Sequence, residues 1–245
     1  MPLSTDQCER YSRQTELQGW GSEGQERLLS SRVFVAGMGG LGCAAAVYLT
    51  VAGVGEVVVC DGDVVERSNL NRQFLYTRDD LTKPKAPIAA AQLRRLNPDV
   101  RVTPVIAEID RSTARGLMEG ADIVLDCLDN PETRIALNRA AIAASVPMVY
   151  AAVADYTGYV SFLNPPATPC LECFVDGTRP AVHPPVPGCT AGTLGTLEAM
   201  EALKFLTGTG ETLAGKLLVV EGAVPSFDVI DVARDPRCPT CGHIG

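Results

Sequence analysis

"RVFVAGMGGLGCAAAVYLTVAGVGEVVVCD" (32–61) decides the fold. Its opening, 32–37, is rich in β-branched residues and reads as a buried strand. Residues 39–55 read as a helix ended by glycine, and 56–61 as the next strand. Together they form a βαβ unit of the expected length. Between strand and helix stands "GMGGLG", with Gly37, Gly39, Gly40 and Gly42. Glycines there permit a tight turn and let backbone N–H groups approach phosphate oxygens, while the helix N-terminus adds partial positive charge. Asp61 ends the second strand, 19 residues after Gly42, where a carboxylate accepts hydrogen bonds from ribose hydroxyls. The glycines alone would also fit a turn that packs helix against strand. The flanking elements and Asp61 favour a nucleotide site.

Reading outward, a helix is predicted around 84–96, strands near 100–106 and 121–127, a helix over 131–144 and a strand over 146–152. This alternation argues for a parallel, doubly wound sheet. The pattern changes after Asp155. Residues 157–165 read as a strand, 193–208 as a helix and 216–232 as a hairpin. The predicted fold is α/β: a Rossmann-like doubly wound sheet with a parallel N-terminal half and an antiparallel C-terminal extension. It is read as one domain over 1–245, with an N-terminal helical segment (1–30), a nucleotide-binding half (31–155) and a second half (156–245). Residues 176–190 carry four prolines and are expected to form an irregular crossover loop.

Composition narrows the partners. The 245 residues are 46% hydrophobic, enough for one large α/β core. A net charge of −8 repels nucleic-acid phosphates, so no nucleic-acid partner is expected. The N-terminus is polar, and the longest uncharged apolar run, 140–154, is too short for a bilayer and contains Pro147. A soluble cytoplasmic protein without a membrane partner is expected. Its nine cysteines should then be reduced thiols or metal ligands.

The glycine motif does not name the nucleotide. Hydride-transfer enzymes usually need a proton relay, yet the chain has two histidines, His183 and His243, and no tyrosine followed four residues later by lysine. A carboxylate attacking the α-phosphorus of ATP needs no general base, because it is already ionised near neutral pH. It needs cations around the triphosphate, and a metal. Arg72 lies just beyond Asp61, and Lys85 opens the following helix. Asp126 and Asp129 lie at the C-terminal end of a strand, the edge where open α/β sheets bind ligands. A carboxylate there suits magnesium, which prefers oxygen ligands and substrate phosphates.

"RYSRQ" (10–14), "GMGGLG", "CDGDVVERSNLNRQ" (60–73), "KPKA" (83–86), "LNP" (96–98) and "LDCLDN" (125–130) follow one another in this order. With them the chain resembles the MoeB/ThiF/HesA branch of the ubiquitin-activating enzyme superfamily, over essentially its whole length. The resemblance implies adenylation of the C-terminal glycine of a small ubiquitin-like sulfur-carrier protein ending in Gly-Gly, with release of pyrophosphate. It implies that Asp61 binds ribose, that Asn69, Arg72 and Lys85 contact phosphates, and that Asp129 organises magnesium. Asp63 and Gln73 join the same nucleotide set. It further implies a homodimer in which Arg13 reaches the partner's triphosphate; the residues alone give Arg13 no role beyond a helix-surface charge. The carrier's tail would thread under the crossover loop. The chain stops soon after its last cysteine pair, so a separate sulfur donor is expected.

Two C-x-x-C pairs, Cys170/Cys173 and Cys238/Cys241, are separated by 64 residues. Four thiolates suit tetrahedral structural zinc. A redox dithiol would sit in a thioredoxin-like unit, and none is visible. Cys43, Cys60 and Cys127 lie in apolar elements and read as core; Cys8 receives no role. Cys189, at the end of the crossover loop and before the predicted helix, is a candidate thiol whose pKa a helix N-terminus would lower. In some relatives a cysteine in this region bonds to the carrier, whereas others stop at the acyl-adenylate, and a thiol that merely ends the loop fits equally. Rival readings are the same fold acting on another carboxylate or amide, an NAD-binding oxidoreductase, and a non-catalytic scaffold. Arg72, Lys85 and Asp129 together argue against the last two.

Overall fold

The computed structural model describes residues 2–175 and 185–244. Residues 176–184, and with them His183 and much of the expected crossover loop, lie outside the described residues.

The chain opens with helices α1 (Thr5–Arg10), α2 (Ser12–Thr15) and α3 (Gly21–Ser30). Ser4 starts α1 through a capping box with Gln7, which satisfies two otherwise orphaned N–H groups. The α/β succession follows: β1 (Arg32–Ala36), α4 (Gly40–Ala52), β2 (Glu56–Cys60), α5 (Lys85–Leu96), β3 (Arg101–Val105) and α6 (Ala114–Leu117). It continues with β4 (Ile123–Asp126), α7 (Pro131–Ala144), β5 (Met148–Ala154), β6 (Thr157–Leu163), α8 (Gly188–Thr207), β7 (Lys216–Glu221) and β8 (Ser226–Asp231).

One eight-stranded sheet has the order β3-β2-β1-β4-β5-β6-β7-β8. Pairing is parallel from β3 through β5 and antiparallel from β5 through β8. The expected antiparallel extension of a single sheet is therefore present. Side chains of β1 alternate between two cores. Val33 and Val35 join the cluster under α4, α5 and α8, while Phe34 and Ala36 join the one under α7. A strand covered on both faces must be apolar throughout, which explains the unbroken "VFVA" run. β5 and β6 are joined through Asp155, whose φ of 53° is tolerated by aspartate in tight hairpin turns.

α8 begins at Gly188 rather than at 193. Pro187 occupies its N-cap, and Thr190 and Ala191 are buried in its first turn. The small, weakly helix-forming residues of "GCTAGT" carry little local signal, and packing overrides propensity there. No helix among the described residues is long and apolar enough to cross a membrane.

Candidate active site

Strand order reverses between β1 and β4. Open α/β sheets form a crevice at such a point, outside the carboxyl ends of the strands. A cavity of about 550 Å³ lies there, walled by the glycine loop, the ends of β2 and β4, the start of α7, and Val186 and Ala191 before and within α8. Gly37, Gly39, Gly40, Asp61, Asp63, Arg72, Gln73, Lys85 and Asp129 all line it. Residues spread over 37–129 thus converge on one space.

Two glycines are fixed by geometry. Gly37 has φ +91°, a left-handed conformation that costs other residues energy. Gly42 faces inward: a Cβ there would stand 2.0 Å from the Gly37 carbonyl oxygen. It closes the turn against itself and is absent from the cavity wall.

Asp61 braces the loop. Its carboxylate accepts the Met38 N–H at 2.7 Å and the Asp63 N–H at 2.8 Å. Burial pushes its pKa up, opposed by Lys85 and these two amides. An ionised carboxylate has about four lone-pair sites, so two accepted bonds leave capacity for a ribose. Lys85 is buried at the head of α5 and donates to Asp63 at 2.8 Å. Among the described residues, Arg72 donates to neutral acceptors, the Ser68 carbonyl and Asn71 Oδ1, both at 3.0 Å, and it lines the cavity. Gln73 is buried, with Oε1 lacking a hydrogen-bond partner among the described residues, a polar atom poised for an exogenous donor.

Other expected residues fall elsewhere. Asn69 accepts the Glu66 N–H at 3.0 Å, closes a short 3₁₀ turn over 67–69, and does not line the cavity. It shapes the Arg72 loop. Asp126 is wholly buried, paired with Arg134 at 3.0 Å, and does not line the cavity. Cys189 lies exposed in the first turn of α8, outside the cavity wall. Arg13 has a 91% exposed side chain, 3.7 Å from Glu16. Its neighbours in "RYSRQ" are anchored: Tyr11 is buried and its hydroxyl accepts from Asn97, and Gln14 donates to Gln25 and the Ala52 carbonyl. The motif thus grips its own fold through Tyr11 and Gln14 and turns Arg13 outward.

Two residues escaped the sequence reading. Arg134 lines the cavity, buried, with its guanidinium 5.1 Å from the Tyr150 ring centroid. The signal lay in Asp126: a carboxylate ending an apolar strand demands a cation, and Arg134 is one turn into the next helix. Glu198 of α8 is fully buried behind Cys127, which donates its S–H to Oε2 at 3.2 Å. Burial lifts the Glu198 carboxyl to about 8, partly offset by that hydrogen bond.

At the other end of α7 the four predicted cysteines meet. The Sγ atoms of Cys170, Cys173, Cys238 and Cys241 lie within 4.8 Å of one another. The Cys170–Cys238 and Cys173–Cys241 separations are 3.6 and 3.5 Å. Zn–S bonds of about 2.3 Å in a tetrahedron require S–S edges of about 3.8 Å, so the set fits zinc. Burial and the adjacent thiols push Cys170 well above the ordinary thiol value, so cation binding there is coupled to proton release. Glu172, between the first two cysteines, accepts from Arg139 of α7 and from Thr240 of the second pair, which ties both pairs to the helix.

A switch-point cavity with a phosphate-type glycine loop, three cationic side chains (Arg72, Lys85 and Arg134) and the carboxylates of Asp61, Asp63, Glu108 and Asp129 on its walls defines a nucleotide-binding α/β protein. Comparison with known proteins narrows this. The ThiF family model matches residues 11–240, and the chain belongs to that family. It is 44% identical to the SAMP-activating enzyme E1 of Haloferax volcanii, over 100% of this chain and 93% of that protein. It is 38% identical to the molybdopterin-synthase adenylyltransferase of Escherichia coli (98% of this chain, 99% of that protein). Identity is also 38% to the E. coli sulfur carrier protein ThiS adenylyltransferase (95% and 94%). Among solved structures, E. coli MccB superposes with a TM-score of 0.86 at 24% identity, over 95% of this chain and 74% of that one, a likeness of fold alone.

Proposed function

We propose that this protein adenylates the C-terminal carboxylate of a ubiquitin-like sulfur carrier. The observation that carries the reading is the convergence of the glycine loop, Arg72, Lys85 and Asp129 on one cavity, without a histidine among the described lining residues. A carboxylate oxygen forms a bond to the α-phosphorus of ATP. The bond from that phosphorus to the bridging oxygen breaks, and its electron pair leaves with pyrophosphate. No proton moves, so no base is needed. Cations must instead hold two anions together and absorb the charge that develops.

Within that reading the glycine-loop amides and Lys85 cradle phosphates, Asp61 orients the ribose, Gln73 offers its unpaired Oε1, and Arg72 faces the reacting phosphate. Asp129 is exposed and lines the cavity wall, and a carboxylate beside a triphosphate is the kind of oxygen ligand magnesium takes, so it would hold magnesium. Magnesium held there would supply positive charge beside the triphosphate. Zinc in the four-cysteine cluster is structural. Residues 156–245 hold the carrier; their last strand exposes Phe227, Val229 and Ile230. Arg13, turned outward, serves the second subunit of a homodimer. Sulfur comes from a separate donor.

The test is ATP–pyrophosphate exchange with candidate carriers. Exchange that requires a carrier with a free C-terminal glycine carboxylate supports the reading. Tight NADH binding with no response to ATP would overturn it.

A further inference from the structure

We propose that Arg134 is a positioning residue: with Asp126 it clamps the peptide units before Asp129 and so presets that carboxylate. The proposal rests on the metal role given to Asp129 above.

The clamp is visible bond by bond. Arg134 Nη1 donates to Asp126 Oδ2 at 3.0 Å and to the Ala151 carbonyl at 2.8 Å. Its Nη2 donates to the Leu128 carbonyl. The other oxygen of Asp126, Oδ1, accepts the Leu128 N–H at 3.3 Å. Both backbone groups of Leu128 are therefore held by one buried ion pair. On the far side of Asp129, Asn130 caps α7, its Oδ1 accepting the N–H groups of Glu132 at 2.9 Å and Thr133 at 3.3 Å. Asp129 is the exposed residue between two fixed neighbours. A single side chain thus ties the end of β4, the loop after it and β5 to the first turn of α7.

Charge argues for the same role. The pair sums to zero, so Arg134 adds little net attraction for a triphosphate. Among the described residues, the charged and titratable groups that act on it are Asp126 at the end of β4, Cys127 just after it, Tyr150 on β5 and Glu198 on α8. Three of its donor hydrogens already have protein acceptors. Lysine would keep the charge, but an ammonium lacks the planar fork that reaches acceptors in three directions.

Two variants separate positioning from charge. Arg134→Lys preserves the charge and removes the fork. Asp126→Leu with Arg134→Met removes both charges and leaves the cavity's net charge unchanged; such exchanges are often tolerated, whereas removing one partner strands a buried charge. ATP binding is measured by calorimetry with and without magnesium, on wild type, Asp129→Asn and both variants, after thermal melts show each to be folded. Wild type should gain affinity from magnesium and Asp129→Asn should lose that gain. Both clamp variants should lose about tenfold or more in magnesium, the scale of outer-sphere changes at metal sites, yet bind ATP without magnesium within about twofold of wild type. Clamp variants that keep the full magnesium gain, or that lose affinity equally without metal, overturn the proposal. If wild type itself gains nothing from magnesium, the metal role of Asp129 fails first and the proposal falls with it.

Discussion

The nucleotide cavity and the four-thiol cluster sit at opposite ends of α7 and are built on opposite principles. The cavity is open, about 550 Å³, and lined by charged groups drawn from strand ends and loops. The cluster is closed: three of its four cysteines are buried, its ligands are chemically alike, and Glu172 and Arg139 bolt it to the helix. A site that must admit substrates keeps charged groups on an accessible wall. A site that only fastens the chain satisfies its groups internally. Substitutions in the first should therefore cost rate or affinity, and in the second stability.

The largest expected effect is on rate. Arg72→Ala and Arg13→Ala should each lower pyrophosphate exchange by about 10²–10³, the scale for removing one preorganised stabilising group, with melting temperatures close to wild type. Equal mixing with subunit exchange should restore about one quarter of wild-type activity, since half the dimers then hold one site with both arginines. A mixture as inactive as its parents would remove Arg13 from the partner's site. Next comes the cluster. Cys238→Ser should lose metal and lower the melting temperature by about 5–15 °C, at roughly 2–4 °C per kcal/mol for this size, while ATP affinity stays within a few-fold. Loss of ATP binding along with metal would break the division between the two regions.

Within the glycine loop, Gly42→Ala and Gly39→Ala sharpen the comparison further. At Gly42 a Cβ meets backbone at 2.0 Å; at Gly39 the nearest atom is the flexible Gln73 Nε2 at 3.8 Å. Gly42→Ala should destabilise by about 1–3 kcal/mol, as overpacking does. Gly39→Ala should fold normally and weaken ATP. Chemical denaturation and calorimetry on the same pair check both.

The smallest effect is a pH slope. Glu198 has its carboxyl raised to about 8 in the fold against 4.5 ordinarily. Between those values the folded chain keeps a proton that the unfolded chain has released, so stability falls as pH rises and levels off above about 8. Glu198→Gln cannot titrate, and its melting temperature should decline less than wild type between pH 5 and 8. Parallel profiles would show that Glu198 is ionised throughout.

Much of this was legible from residues alone. The βαβ unit announced itself through β-branched strands around "GMGGLG", and the change at Asp155 marked where parallel pairing ends. Arg72, Lys85 and Asp129 were found because strand ends at a switch point are where such folds bind ligands. The cysteine pairs were readable as one centre through their chemistry, although Cys238 lies 68 positions after Cys170. What escaped depended on depth. Asp126 and Asp129 are near-identical in sequence context, yet one is wholly buried and the other exposed; only packing decides which faces the cavity. Arg134 looked like any helix arginine until its strand-end acceptors were in place. The start of α8 was missed because small residues carry little propensity and proline precedes them.

Oxygen-18 placed in the C-terminal carboxylate of a carrier tests the adenylation claim most directly. After incubation with ATP and release by a nucleophile that attacks the carbonyl carbon, the AMP should carry one labelled oxygen, because the carboxylate oxygen became bonded to phosphorus. AMP without label, or AMP formed equally in the absence of carrier, would contradict adenylation of the carboxylate.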